Sequence, residues 1–164
     1  MSDETLEYRV KAAIDTIESF DIIGISVTTN SDQATSDINA LWERFFKDSI
    51  GQKIDNKTSD VIYAVYSDYE GDHTKPYRFT IGYRAESAET IPQNMTHVQI
   101  QASDYAILSA AGAQPQALIE TWKSIWESDL DRSYKTDFEV YGPRFFEDGI
   151  NEVLVHIGIT GAQK

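Results

Sequence analysis

The chain has no cysteine among its 164 residues, so it carries no disulfide framework, no thiol nucleophile and no thiolate metal site. Basic residues are scarce. Lys and Arg number 14 against 27 Asp and Glu, and the formal net charge is −13. Such a surface repels phosphate backbones, which disfavours direct nucleic-acid binding and favours a cationic partner. No apolar run approaches the about 18 residues of a membrane helix. The start, Met1-Ser2-Asp3-Glu4, is acidic and has no signal-peptide pattern. These absences predict a cytoplasmic protein with no membrane association. Walker-type and dinucleotide-binding glycine patterns are missing, and so is a nucleophile-elbow serine. His73, His97 and His156 have no second ligand at helical metal spacing, and Asp68, Glu70 and Asp72 lack the ordered loop of a calcium site. We expect no metal and no cofactor.

What is present is ordinary in amount and uneven in kind. Hydrophobic residues make up 41% and aromatic residues 12%, enough for one domain, 1–164, with a sizeable core. The first 15 residues are weakly patterned and read as a short helix or an arm. Residues 22–29 read as a strand, with Ile23, Ile25 and Val27 on one face. A helix follows to about Lys47, capped by Ser36 or Asp37, with Ile38, Leu41, Trp42, Phe45 and Phe46 on one side. After a polar connector, residues 61–69 form a strand apolar on both faces and hence central. Residues 77–85 alternate, with Arg78 and Arg84 on the polar side.

The scheme then starts again. Residues 96–111 are a long extended stretch with a bulge expected at Ser103-Asp104. Pro115 opens a helix that presents Leu118, Thr121, Trp122, Ile125 and Trp126. Residues 136–143 and 152–160 read as two more strands. The helical faces match at an offset of 80 (118 − 38), and Ala64-Val65-Tyr66 echoes Glu139-Val140-Tyr141 at an offset of 75 (139 − 64). Each half reads strand, helix, strand, strand, which predicts pseudo-repeats at about 20–88 and 96–160. The expected class is α+β: duplicated β-α-β-β units, a mostly antiparallel sheet, and two helices framing a groove.

Within Thr136-Asp137-Phe138-Glu139-Val140-Tyr141, the alternation puts Phe138 and Val140 on one face and Asp137, Glu139 and Tyr141 on the other. Glu139 stands where the other half has Ala64. A carboxylate there is either on a wet face or a buried charge in want of a partner. The aromatic set Trp42, Tyr63, Tyr66, Tyr83, Trp122, Trp126 and Tyr141 is mostly core by residue type, but Tyr and Trp carry polar tips that need partners. Around one carboxylate they would make an aromatic box with a negative floor, suited to a flat lipophilic cation.

The order of elements, with Leu41-Trp42-Glu43-Arg44-Phe45-Phe46, Val61-Ile62-Tyr63-Ala64-Val65-Tyr66 and Phe138-Glu139-Val140-Tyr141-Gly142-Pro143, resembles the GyrI-like effector-binding domains from about Ile22 onward. It is most similar to the integron-associated effector-binding proteins, close to the ligand modules of AraC-type and MerR-type multidrug regulators. The resemblance implies a module that binds bulky, often cationic hydrophobic compounds. Its central glutamate would fall on Glu139, and its aromatic groove residues on Trp42, Tyr63, Tyr66, Trp122 and Tyr141. No helix-turn-helix segment flanks the module, so the expectation is a standalone binder or a partner of a separate protein. Two other roles are compatible with the residues. One is a hydrolase of reactive small molecules, with Glu139 as general base and Tyr66 or Tyr141 as acid. The other is a protein-interaction module like the gyrase-inhibitor relatives.

Overall fold

The computed structural model describes residues 13–30, 32–71, 75–114, 116–128, 131–142, 145–146 and 150–160. His73, Pro115 and Pro143, and most of the expected N-terminal arm, lie outside them. Strand β1 (Ala13–Ile17) and β2 (Phe20–Thr29) lead into helix α1 (Ala34–Lys47). A short 3-10 turn (Ile50–Lys53) precedes β3 (Lys57–Ser67) and β4 (Tyr77–Ala85). Then come β5 (Thr96–Ile100), β6 (Ser103–Ala110), α2 (Gln116–Glu127), β7 (Arg132–Tyr141) and β8 (Val153–Ile159). The fold is the expected one. The expected strand, helix, strand, strand occurs twice, each time preceded by one further strand (β1 and β5), and the eight strands form one sheet in the order β1-β6-β8-β7-β3-β4-β2-β5, with every pairing antiparallel.

Three local readings change. The arm contains β1, which pairs with β6 from Ala13 opposite Ile107 to Ile17 opposite Ser103. The stretch from Thr96 is interrupted at Gln101-Ala102, two residues before the expected bulge, and splits into β5 and β6. Helix α1 starts at Ala34 rather than beyond Ser36, and its N-cap, Gln33, makes no side-chain capping bond. The Asn30 Oδ1 accepts from the backbone N–H of Asp32 and Gln33 instead, and Asp37 accepts from the Thr29 hydroxyl at 2.7 Å.

The two-residue break has a topological meaning. Strands β5 and β6 lie near opposite ends of the strand order, yet a few residues span at most roughly 10 Å. The sheet must therefore curl until its ends meet. The registers agree with this. From Ala13 opposite Ile107 to Gly24 opposite Thr96, each chain advances eleven residues (24 − 13 and 107 − 96), so one register runs through both breaks. Gly24 and Gly82 face each other across β2 and β4. A Cβ on Gly24 would sit 1.9 Å from the Ile81 carbonyl oxygen, and one on Gly82 2.2 Å from that of Ile23. Only glycine permits this approach of the two backbones.

Curling gives the molecule two cores. Inside the curl, Phe20, Ile22, Val65, Val98, Ile100, Tyr105 and Phe138 pack together, with Tyr63 and Val140 against them. On the other face lie the helices, whose Leu41, Phe45, Trp122 and Ile125 pack on Ile23, Ile25, Ile62, Ala64, Phe79, Ile81, Val153, Val155 and Ile157. The spacing of three and four in both helices supplies that contact.

Candidate functional site

Alternation on β7 sends Glu139 to the helix face, where it is 1% exposed. Three neutral donors close on it. The Tyr66 hydroxyl donates to Oε2 at 2.8 Å and the Trp122 indole N–H to the same oxygen at 2.7 Å, while the Tyr141 hydroxyl donates to Oε1 at 2.6 Å. No ion pair among the described residues includes Glu139. Burial pushes its carboxyl above the ordinary value, and the three hydrogen bonds only partly pull it back. The same burial, with the negative charge beside them, holds the Tyr66 and Tyr141 hydroxyls protonated far above the usual phenol range.

Beside this cluster, between α1 and α2, is a cavity of about 350 Å³. Ile38, Trp42 and Phe46 of α1 form one wall and Leu118 of α2 the other, with Ile62, Tyr141 and Val153 as the floor and Phe145 and Phe146 closing one end. Tyr141 belongs to both features: its ring lines the cavity and its hydroxyl holds Glu139. Two rows of rings meet at the carboxylate. One runs from Phe146 through Phe145 and Tyr141 to Trp42 at centroid distances of 5.0, 4.9 and 5.1 Å. The other runs from Tyr77 through Tyr66 to Trp122 at 5.6 and 4.9 Å.

The sequence-derived set is therefore divided. Trp42 and Tyr141 line the cavity, and Tyr66 and Trp122 cap Glu139 beneath it. Tyr63 is on the opposite face, packed edge-on to Phe20 at 5.6 Å, because it is an odd number of residues from both Ala64 and Tyr66. Tyr83 is stacked on Phe45 away from the carboxylate, and Trp126 is half exposed. His97 contacts Asp21 at 2.8 Å on β5, while His156 stacks on Phe138 at 4.3 Å in the inner core.

Sequence reasoning missed two groups. Phe145 and Phe146 sit in a loop, where no periodicity marks a lining residue. The second group is an ion pair two residues along from Glu139. Arg132, 5% exposed, reaches the fully buried Asp137 at 2.7 Å. Asp137 also accepts from the Tyr69 hydroxyl and from the Gly158 N–H at 2.8 Å. The guanidinium lies 4.3 Å over the Tyr134 ring. Of the two buried carboxylates on this strand face, one has a resident cation and the other has none among the described residues.

Two helices laid on an antiparallel sheet, with an apolar cavity between them and a carboxylate below, make a small-molecule-binding module of the GyrI-like kind. The chain belongs to the integron-associated effector binding proteins: the model of that family, Cass2, matches residues 13–157. The Bacillus subtilis (strain 168) protein YobU, whose name places it provisionally among transcriptional regulators, is 32% identical over 120 residues, covering 70% of this chain and 75% of its own. An integron cassette protein of Vibrio cholerae shares the fold, with a TM-score of 0.70 and 24% identity over 91% of this chain and 95% of its own. So does SAV2435, solved bound to tetraphenylphosphonium, with a TM-score of 0.74 and 17% identity over 92% of this chain and 94% of its own. Among the described residues no helix is long and apolar enough to cross a membrane.

Proposed function

We propose that this protein binds bulky hydrophobic cations in the cavity between α1 and α2, with Glu139 as the negative charge beneath the floor. The observation that carries this reading is the buried Glu139, held by three neutral donors and paired with no cation among the described residues. A ligand cation would supply the missing counter-charge. It would meet the ring of Tyr141 first. That hydroxyl donates to the carboxylate, which makes the ring face richer in electrons and a better cation–π partner. Across one intervening ring, roughly 7 Å, the attraction between the two charges is worth about 2 kcal/mol at an effective dielectric near 20. The net charge of −13 favours the approach of cations. The tetraphenylphosphonium bound by SAV2435 is a ligand of this chemical kind.

The same geometry argues against Glu139 as a general base. Its oxygens face Tyr66, Trp122 and Tyr141, and it does not line the cavity, so water held there would not touch it. The test is quenching of tryptophan emission by tetraphenylphosphonium and by neutral triphenylphosphine oxide, with wild type and Glu139→Gln. The expected result is tighter binding of the phosphonium, reduced about tenfold or more in the variant. Equal affinity for both compounds, or an unaffected variant, rejects the reading.

A further inference from the structure

Among the described residues, the lining of the cavity is poor in groups that can accept a hydrogen bond. Of the described lining residues only Asn39, Gln114 and Tyr141 carry a side-chain atom that can accept a hydrogen bond; the Trp42 indole N–H can only donate. Asn39 is exposed, at the rim. Gln114 is held in place by three hydrogen bonds: its amide donates to the carbonyls of Ala110 at 2.9 Å and Asn151 at 2.8 Å, and its Oε1 accepts from the Leu118 N–H at 3.1 Å. The Tyr141 hydroxyl spends its proton on Glu139. The carbonyls at that end are in use as well. Phe145 accepts from Asn151 Nδ2 at 3.0 Å, and Gly142 from the Phe145 N–H at 3.0 Å. The carboxylate itself is behind the floor.

From this we infer that the cavity selects cations that have no N–H to donate: quaternary or charge-delocalised centres rather than protonated amines, whose N–H would be stranded among Trp42, Phe46, Leu118 and Phe145. The inference rests on the cation reading above and narrows its ligand class. A protonated amine keeps its N–H solvated in water and loses that bond on entry, whereas a quaternary centre has none to lose. Both feel the charge of Glu139 equally, so the discrimination comes from the lining and not from the carboxylate.

Two constitutional isomers isolate the effect: benzyldibutylmethylammonium and benzyl(butyl)(pentyl)ammonium. They have the same atoms and, at neutral pH, the same charge, and only the second has an N–H. Calorimetric titration of the whole protein with each, and with neutral N,N-dibutylbenzamide, is the experiment. The expected result is that the quaternary isomer binds at least about tenfold tighter than the protonated one. Equal affinities, or tighter binding of the protonated isomer, overturn the inference. If that preference for the protonated isomer disappears in Tyr141→Phe, the Tyr141 oxygen is the overlooked acceptor. A neutral compound that binds as well as the quaternary isomer, both ahead of the protonated one, leaves the N–H exclusion standing and rejects the cation reading instead.

Discussion

Ala64 and Glu139 face each other directly across the β3–β7 ladder. They are also the equivalent positions of the two halves, so the local twofold relation of the sheet passes between them. Ala64 is fully buried, and its methyl leaves the room that Glu139 and its three donors fill. Ala64→Val would add two methyl groups there and press on Tyr66 or Trp122. The expected cost is about 1–3 kcal/mol in urea denaturation. An unchanged midpoint would show that the cluster has slack.

The three donors make a second prediction. Tyr66→Phe and Trp122→Phe each remove one hydrogen bond to a buried carboxylate, which should cost about 1–3 kcal/mol. Each should also raise the Glu139 pKa further, since the lost bond favoured the ionised form. Infrared spectroscopy can follow the protonated carboxyl band, which should persist to higher pH in both variants. A band that titrates as in wild type would mean that the remaining donors compensate.

Stability should depend on pH through two groups of opposite sign. The folded-state pKa of Glu139 is raised, so its contribution to stability is complete below its unfolded value near 4.5 and is lost as pH rises through the folded value. His156 is lowered from 6.5 to about 4 by burial, so its contribution is complete above 6.5 and is lost as pH falls toward 4. The His156 loss is on the order of 3 kcal/mol. Denaturation at pH 7 and pH 5 should show a smaller acid loss in His156→Leu than in wild type. Glu139→Gln should be no less stable than wild type at pH 7 and should show a larger loss on acidification, because its opposing contribution is gone. The reverse ordering of the two variants would contradict the assignment.

The rim aromatics should separate binding from folding. Phe46 and Phe146 are 59% and 58% exposed while lining the cavity. Exposed side chains contribute little to the core, so Phe46→Ala and Phe146→Ala should change stability by less than about 1 kcal/mol. Both should weaken binding of tetraphenylphosphonium, seen as a larger concentration for half-maximal quenching. A variant that binds normally removes its ring from the site.

Much of this was legible from residue order. The spacing in both helices named the residues that meet the sheet, and alternation on β7 put Glu139 and Tyr141 on one face. The same alternation, applied strictly, separates Tyr63 from Tyr66, since residues three apart on a strand point to opposite sides. Arg132 and Asp137 were hidden for a different reason. Five residues apart, they would point apart on a regular strand. The register shifts between them, and Tyr134 takes a positive φ of 56°, which brings both to one face. The curl of the sheet was not readable either, because it depends on pairing between strands remote in the chain.

That pairing bears on how the chain reaches its folded state. The ladder that joins β1 and β2 to β5 and β6 ties the opening strands to a stretch that begins more than seventy residues later (96 − 20). Neither half can complete its own sheet, because the first strand of each half pairs with the second strand of the other. Closure of the long ladder must wait until both halves are present. Contacts this distant slow folding, since the entropy of bringing the segments together is spent before the pairing returns it. Refolding should accordingly fall in the millisecond-to-second range of non-local β proteins.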